Sequence, residues 1–144
     1  MIIIVDIDNT LCNNKKRYEV STNSDGSINW DSLYDYDNVL LDTPNLPMID
    51  LVNRYSKDYK IIIFTSRPES IRNSTEHWLS NFEVQYDELY MRSYEEHTLK
   101  DYILKEKMYN MFIEDDVFCA FDDNQNIIDL WTRLGIPSFK VFTL

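Results

Sequence analysis

Two short apolar segments, each followed directly by acidic residues, constrain the fold of this chain more than any other feature. Ile2–Val5 leads into Asp6 and Asp8. Val117–Phe121 leads into Asp122–Asp123. An apolar run without alternating polar residues is typical of a strand buried on both faces of a parallel sheet. Since unpaired carboxylates are costly to bury, paired aspartates at such strand ends indicate a bound cation, a proton or a reaction.

The rest of the chain alternates between strand and helix patterns. The predicted strands are Ile2–Ile7, Lys60–Phe64, Val84–Tyr90, Val117–Phe121 and Ser138–Phe142. The predicted helices are Met48–Lys57, Glu69–Ser80, Thr98–Met111 and Gln125–Leu134. This alternation predicts an α/β fold with right-handed crossovers and a parallel sheet flanked by helices. Ligands of such sheets bind beyond the carboxyl ends of the strands, where Asp8, Thr65 and Asp122 fall.

Residues 13–45 form the least regular stretch, and we interpret them as a small cap-like insert. Turn-forming residues at Asn23–Gly26 predict a hairpin, and a short helix is expected from about Trp30. The aromatic residues Trp30, Tyr34 and Tyr36 could stack on a nucleobase. Packing that anchors the small helix is the favoured interpretation of these rings.

Composition limits the class of protein. The 144 residues are 44% apolar and correspond to a single domain, 1–144. No apolar run approaches the roughly 20 residues of a membrane span, so we expect a cytoplasmic protein with no membrane partner. Cys12 and Cys119 are expected to be free thiols. The net charge of −11 argues against broad adhesion to nucleic acid, but a metal ion and a few local cations can still hold a phosphate end.

The acidic strand ends predict a magnesium-dependent phosphate chemistry. Asp6, Asp8 and Asp122–Asp123 offer the all-oxygen ligand set that Mg²⁺ prefers, and the sequence has no cluster of His and Cys that would favour zinc. In this hypothesis Asp6 attacks the phosphorus of a phosphate monoester and forms an aspartyl-phosphate. Asp8 protonates the leaving oxygen and later takes a proton from water.

The motif pattern resembles the haloacid dehalogenase superfamily of phosphohydrolases. Its elements are Asp6–Thr10, a threonine that ends a strand, a lysine on a later helix and a final acidic pair. The resemblance implies a Rossmann-like fold with a minimal cap and roles for individual residues. Asp6 would be the nucleophile and Asp8 the general acid and base. Thr65 would contact the phosphoryl group, and Lys105 would pair with the charge of that group. Asp122–Asp123 would be the metal ligands.

A closer resemblance links the chain to the 3'-phosphatase domains of phage polynucleotide kinases and to related stand-alone phage phosphatases. It is carried by Phe64–Ser70, Leu89–Arg92, Lys100–Lys105, Ala120–Asn124 and Asp129–Trp131. The resemblance implies removal of terminal 3'-phosphates from DNA or RNA, as in nucleic-acid repair. It further implies roles in the substrate site for Arg17, Arg67, Arg92 and Asp101. Ser66, which follows Thr65 at the end of the predicted strand, could share the phosphate contact of Thr65.

Departures from the family pattern leave some points open. Asn9 stands where the family usually has Gly, but Asn tolerates positive φ, so the turn can survive. Asn124 replaces an arginine common in the kinase-linked domain. Lys100 competes with Lys105, and spacing to Asp101 favours Lys105. With only two glycines in the chain, a P-loop and its kinase activity are excluded.

The nature of the substrate and of the partners stays open at this stage. A phosphatase of nucleotide monophosphates or of another small phosphoester is the nearest alternative, and a non-catalytic metal- or phosphate-binding module is a further one. The sequence decides neither between DNA and RNA nor between a monomer and a dimer. It also leaves open whether a kinase or a ligase works beside the chain.

Overall fold

The computed structural model describes residues 1–143 as alternating strands and helices. The strands are β1 (Ile2–Val5), β2 (Cys12–Asn13), β3 (Thr43–Pro44), β4 (Lys60–Pro68), β5 (Glu88–Arg92), β6 (Val117–Asp122) and β7 (Ser138–Lys140). The helices are α1 (Lys15–Ser21), α2 (Trp30–Leu33), α3 (Tyr36–Val39), α4 (Leu46–Tyr55), α5 (Arg72–Asn81), α6 (Asp101–Phe112) and α7 (Gln125–Arg133). Single 3-10 turns precede α5 and α6, at Glu69–Ile71 and Tyr94–Glu96.

Five strands form one parallel sheet in the order β5-β4-β1-β6-β7. The apolar first strand is central: Ile4 pairs with Ile62 on one side and with Ala120 on the other. The carboxyl ends of β1, β4 and β6 therefore lie side by side, and the residues that follow them meet at one edge. The predicted α/β fold with a parallel sheet is confirmed.

Each face of the sheet is covered by a separate apolar core. Because side chains alternate along a strand, Ile3 and Val5 join a cluster with residues of α4 and α5. Ile2 and Ile4 face the opposite way and join residues of α6 and α7. Full burial of an aliphatic side chain of this size stabilises a fold by about 1.5–3 kcal/mol, so the strand ends are held rigidly.

Residues between β1 and α4 form the predicted insert, but its first part is helical. Two antiparallel strands, β2 and β3, close its base. The predicted hairpin is reduced to a turn at Gly26 and one antiparallel bridge between Thr22 and Ile28. Helix α1 was not predicted because its buried residues, Arg17 and Ser21, are polar, so the sequence shows no apolar stripe. The predicted helix from Trp30 is confirmed as α2.

The fifth strand was predicted too early. It runs over Glu88–Arg92, whereas the prediction placed it over Val84–Tyr90. Val84 belongs to the turn that leaves α5, because its backbone N–H donates to the Leu79 carbonyl at 3.0 Å and Glu83 has a φ of 54°. The other strands and helices lie within a few residues of their predicted bounds.

Among residues 1–143, no helix combines the length and the apolar character needed to cross a membrane.

Candidate active site

A cleft of about 620 Å³ opens beyond the carboxyl ends of β1, β4 and β6. Ten predicted site residues line it: Asp6, Asp8, Arg17, Ser66, Arg67, Arg92, Asp101, Lys105, Asp122 and Asp123. Four of these are basic and five are acidic, so the cleft is close to charge balance although the chain carries −11. The cleft can therefore admit an anionic group that the rest of the surface would repel.

Asp6 lies at the floor of the cleft, where the turn after β1 fixes its carboxylate. Asn9 has a φ of 59°, the conformation expected for an asparagine that replaces glycine in this turn. The turn brings the Thr10 hydroxyl to 3.1 Å from Asp6 Oδ2, to which it donates. Lys105 Nζ donates to Oδ1 at 2.7 Å. Asp6 is only 7% exposed, so one oriented carboxylate faces the cleft.

Lys105 is the lysine that reaches this floor. It is 3% exposed on α6 and donates to both Asp6 and Asp122, the latter at 2.6 Å, whereas Lys100 is exposed. Burial would lower the pKa of Lys105, but the charges of Asp122 and Asp6 outweigh it and raise that pKa above its usual value. The lysine is therefore a permanent cation between two carboxylates.

One lysine does not neutralise the acidic groups around it. Asp6, Asp122 and Asp123 each offer a carboxylate oxygen, and these atoms lie within 4.8 Å of one another. Burial, together with the charge of Asp122, raises the pKa of Asp123 to about 6. Burial also raises the pKa of Asp6 well above its usual range, and the charge of Lys105 does not reverse this. A set of three carboxylate ligands with excess negative charge fits a hard divalent cation such as Mg²⁺.

Asp8 points to a different wall of the cleft and meets two arginines. Its Oδ1 accepts from Arg17 Nη2 at 2.7 Å and from Arg67 Nη2 at 2.9 Å, and its Oδ2 accepts from Arg67 Nε at 2.9 Å. Burial would raise the pKa of Asp8, but the charges of Arg67 and Arg17 outweigh it and hold that pKa well below its usual value. The Asp8 side chain lies outside the Asp6–Asp122–Asp123 group, so its predicted role as a metal ligand stays a prediction.

Asp42 is a site residue that the sequence analysis missed. Its fully buried carboxylate accepts from Arg17 Nε at 3.0 Å and from Arg67 Nη2 at 2.7 Å. The two acids, Asp8 and Asp42, and the two arginines therefore form a group in which the charges balance. Asp8, Cys12 and Asp42 also lie within metal-ligand reach of one another, but the guanidinium groups fill that space and burial raises the pKa of the Cys12 thiol. This second group does not fit a cation.

Asp42 carries no recognisable motif, since it follows an irregular stretch and precedes a two-residue strand. An isolated aspartate before Thr-Pro reads as a turn residue. The one available signal is that the two buried arginines require more acid than Asp8 alone provides.

Thr65 and Ser66 occupy different positions at the end of β4. Thr65 is fully buried and does not line the cleft; its Oγ1 accepts from the Arg67 backbone N–H at 3.2 Å. Ser66 lines the cleft, and its carbonyl accepts from Arg92 Nε at 3.1 Å. A phosphate contact from Thr65 therefore stays a prediction, and Ser66 is the better placed of the two.

Arg92 connects the loops at one side of the cleft. It donates to the carbonyls of Glu96 and Leu99, both at 2.7 Å, and to Asp101 Oδ1 at 2.9 Å. Most of its hydrogen-bonding capacity thus fixes the start of α6, the helix that carries Lys105. Asn124 also lines the cleft and caps the N-terminus of α7, because its side chain accepts from the Asn126 N–H at 2.9 Å.

The cysteines and aromatic residues complete the comparison with the sequence predictions. Cys12 and Cys119 are free thiols, as predicted, and the structure shows that both are buried. The prediction of core packing is wrong for Trp30 and Tyr36, which are 57% and 45% exposed. Tyr34 does pack in part against the core. Trp30 and Tyr34 line the cleft.

Residues 1–143 match the family model of the polynucleotide kinase PNKP phosphatase domain. The chain belongs to this family. It is therefore a phosphatase domain of the haloacid dehalogenase type, as the motifs predicted.

The relatives extend well beyond the length of this chain. A putative bifunctional polynucleotide kinase/RNA ligase of Autographa californica nuclear polyhedrosis virus is 32% identical over 113 residues, which cover 74% of this chain and 16% of the relative. A chain in a structure of the Pnkp1/Rnl/Hen1 complex is 28% identical with a TM-score of 0.77, over 96% of this chain and 45% of that one. The chain thus spans less than half of either relative.

A more distant structure shares the fold. A haloacid dehalogenase-like hydrolase, SP0104 from Streptococcus pneumoniae, is 15% identical with a TM-score of 0.69. The match covers 96% of this chain and 83% of that chain. At this identity the likeness concerns the fold alone.

Proposed function

We propose that this chain removes terminal 3'-phosphates from polynucleotides in a Mg²⁺-dependent reaction in which Asp6 is the nucleophile. One observation carries the proposal: Asp6, fixed by Lys105 and Thr10, stands in an electron-rich acidic group, while Asp8 stands beside it in a separate arginine-bound group. A nucleophile and a proton-transfer group are thus adjacent in the chain but held in opposite electrostatic environments.

Asp6, Asp122 and Asp123 would hold the metal ion. When bound, Mg²⁺ lowers the repulsion between these carboxylates and the incoming phosphate and neutralises charge on the phosphoryl oxygens. Lys105 keeps its charge beside Asp6 throughout and orients the carboxylate for attack.

In the first step, Asp6 attacks phosphorus and the bond between phosphorus and the sugar oxygen breaks. Asp8 gives that oxygen a proton, so the leaving group departs as a neutral hydroxyl. Asp8 is ionised in the free chain because of Arg67 and Arg17. The negative charge of a substrate phosphate beside Asp8 would raise the pKa of Asp8, so that Asp8 takes up a proton from solvent as the substrate binds.

In the second step, water replaces the aspartyl oxygen on phosphorus. Asp8, now ionised, accepts a proton from this water, and the bond between Asp6 and phosphorus breaks. Inorganic phosphate leaves and the Asp6 carboxylate is regenerated, and Asp8 then releases the proton to solvent and returns to its ionised state. Arg67 is suited to this step because its two hydrogen bonds orient the Asp8 carboxylate toward the cleft.

A polynucleotide end is the favoured substrate for two reasons. The insert over 13–45 consists of short helices beside an open cleft, so a bulky substrate is not excluded by a large cap. One relative is named a putative bifunctional polynucleotide kinase/RNA ligase, and another similar chain belongs to a Pnkp1/Rnl/Hen1 complex. We accordingly propose that the chain acts in nucleic-acid end repair, next to kinase and ligase activities.

A nucleotide monophosphate is the second candidate substrate. The net charge of −11 favours it, because a long polyanion is repelled by the acidic surface and a mononucleotide much less so.

Phosphate release tests the two candidates directly. The substrates are a 3'-phosphorylated oligonucleotide, its 5'-phosphorylated counterpart and the 3'- and 5'-mononucleotides, each with Mg²⁺ and with EDTA. We expect Mg²⁺-dependent release that is fastest from the 3'-phosphorylated oligonucleotide. Robust turnover of mononucleotides with none on that oligonucleotide would sink the proposal and support the second candidate.

A further inference from the structure

The outer wall of the cleft carries aromatic side chains that the chemistry above does not use. Trp30 is 57% exposed and Tyr18 is 39% exposed, and both line the same cleft as Asp6 and Lys105. Tyr34 is half-buried, packs in part against the core and lines the same cleft. We call Tyr18, Trp30 and Tyr34 the aromatic wall. Large exposed rings at a catalytic cleft indicate a ligand with an apolar face.

The local structure holds Trp30 in this exposed position. Helix α2 begins at Trp30, where the Asn29 side chain accepts from the Ser32 N–H at 3.1 Å. The Trp30 carbonyl accepts from the Tyr34 N–H at 3.0 Å. The Trp30 and Tyr34 rings lie 5.8 Å apart with an interplanar angle of 38°. The Trp30 ring therefore contacts the Tyr34 ring on one side, and the rest of its surface is exposed to solvent.

The hydroxyl groups of the two tyrosines in the aromatic wall can hydrogen-bond to a ligand. Within residues 1–143, the hydrogen bonds of Tyr18 and Tyr34 run through their backbone atoms, and neither hydroxyl has a protein partner. Both tyrosines line the same cleft as Asp8 and Arg17. A ligand with a planar apolar face and polar edges matches these groups.

We propose that the aromatic wall stacks on the base of the terminal nucleotide while its phosphate lies at Asp6. This inference rests on the proposed function and specifies how that site grips its substrate. Nucleic-acid binding normally draws on attraction between basic residues and the phosphate backbone. A chain with a net charge of −11 lacks that attraction. Base–aromatic stacking contributes about 1–3 kcal/mol per base, works on every base and needs no net charge.

The kinetic test compares Trp30→Ala with the parent on two 3'-phosphorylated oligonucleotides. One has a normal terminal nucleotide and the other lacks the terminal base. We expect kcat/KM on the normal oligonucleotide to fall about 5- to 150-fold, equivalent to the about 1–3 kcal/mol of stacking. The loss on the oligonucleotide without the base should be much smaller. Trp30→Phe should restore most of the activity.

The matched control is Leu46→Ala, which truncates a side chain that is 61% exposed and lies in a different groove. It should leave both rates unchanged. Equal losses on the two oligonucleotides with Trp30→Ala, or no loss on either, would overturn the stacking proposal.

Fluorescence separates this proposal from the proposed function. Trp78 and Trp131 are 0% and 1% exposed, so a nucleobase added from outside can quench only Trp30. The Asp6→Asn variant is titrated with each oligonucleotide, so that no turnover is needed. Quenching that requires the terminal base supports the stacking proposal even if the parent shows no 3'-phosphatase activity. Absence of quenching, or equal quenching without the base, overturns the stacking proposal even if that activity is found. Quenching by an added protein and not by the oligonucleotide would assign the surface to a protein partner instead.

Discussion

The two aspartates of the first motif stand in opposite electrostatic environments although one residue separates them. Asp6 shares one lysine with Asp122, and Asp123 adds a third carboxylate, so the group has an excess of negative charge. Asp8 shares two arginines with Asp42, and this group is balanced. The first group is therefore incomplete without a further cation, whereas the second is complete within the protein. One residue type is thus adapted to two tasks by its neighbours.

The largest effect should come from the group with excess charge. Asp6→Asn keeps the shape and an acceptor for Lys105 but removes the nucleophile, so phosphate release should fall by more than about 10⁴-fold. Steady-state release from a 3'-phosphorylated oligonucleotide measures this, with circular dichroism to verify the fold. A variant within tenfold of the parent would exclude Asp6 as the nucleophile.

The balanced group gives the next largest effect on rate. Asp8→Asn removes proton transfer, so turnover should fall about 10²- to 10⁴-fold while much of the oligonucleotide binding remains. Lys140→Ala, which changes an exposed lysine on β7 that bonds to Gln125, serves as the control and should not alter the rate. An unchanged rate in Asp8→Asn would refute the role assigned to Asp8.

Removing the hidden member of the balanced group tests stability instead. Asp42→Asn leaves Arg17 and Arg67 with one acid between them in a fully buried position. The free energy of unfolding should fall by about 3–5 kcal/mol, as when one partner of a buried ion pair is removed. Urea unfolding measures this. Asp50→Asn, which breaks an exposed pair with Arg54, should leave the midpoint nearly unchanged. Equal midpoints for the two variants would mean that Asp42 does not hold the arginines.

The smallest expected effect is the change of stability with pH that Asp123 causes in the group of Asp6, Asp122 and Asp123. The pKa of Asp123 is raised to about 6 in the folded chain, so the folded state binds its proton more tightly than the unfolded state does. Without divalent ions, this carboxylate therefore destabilises the fold increasingly as pH rises from about 4 through about 6. Asp123→Asn should raise Tm in EDTA at about pH 8, and the gap should narrow toward about pH 5.

Added Mg²⁺ provides the counterpart of that measurement. It should raise the Tm of the parent more than that of Asp123→Asn, because the parent supplies one more carboxylate ligand. A gap that stays constant with pH, or equal Mg²⁺ shifts, would show that Asp123 does not belong to the acidic group.

The sequence predicts the first group better than the second for a physical reason. Asp6 and Asp122 directly follow apolar strands, and parallel strands bring their carboxyl ends together, so local pattern and topology suffice. Asp42 and Arg17 lie in the insert, where Arg17 is buried on a helix without an apolar stripe. Their positions depend on tertiary packing, for example on the Trp78 indole, which donates to the Asp42 carbonyl at 2.9 Å. Periodicity carries no information about such contacts.

The same limit explains the aromatic residues. A cluster such as Trp30 and Tyr34 near a turn usually packs inward, and only the orientation of the four-residue α2 exposes Trp30. That orientation follows from hydrogen bonds within the insert and not from any repeating pattern.

The most direct test of the account is a rapid acid quench of the parent during its first turnover. The substrate is an oligonucleotide with a radiolabelled 3'-phosphate, with Mg²⁺ present, and the protein is then mapped for covalent label. We predict that label appears transiently on Asp6 and that Asp6→Asn carries none. Phosphate release without any protein-bound label, or label on another residue, would contradict the proposed mechanism.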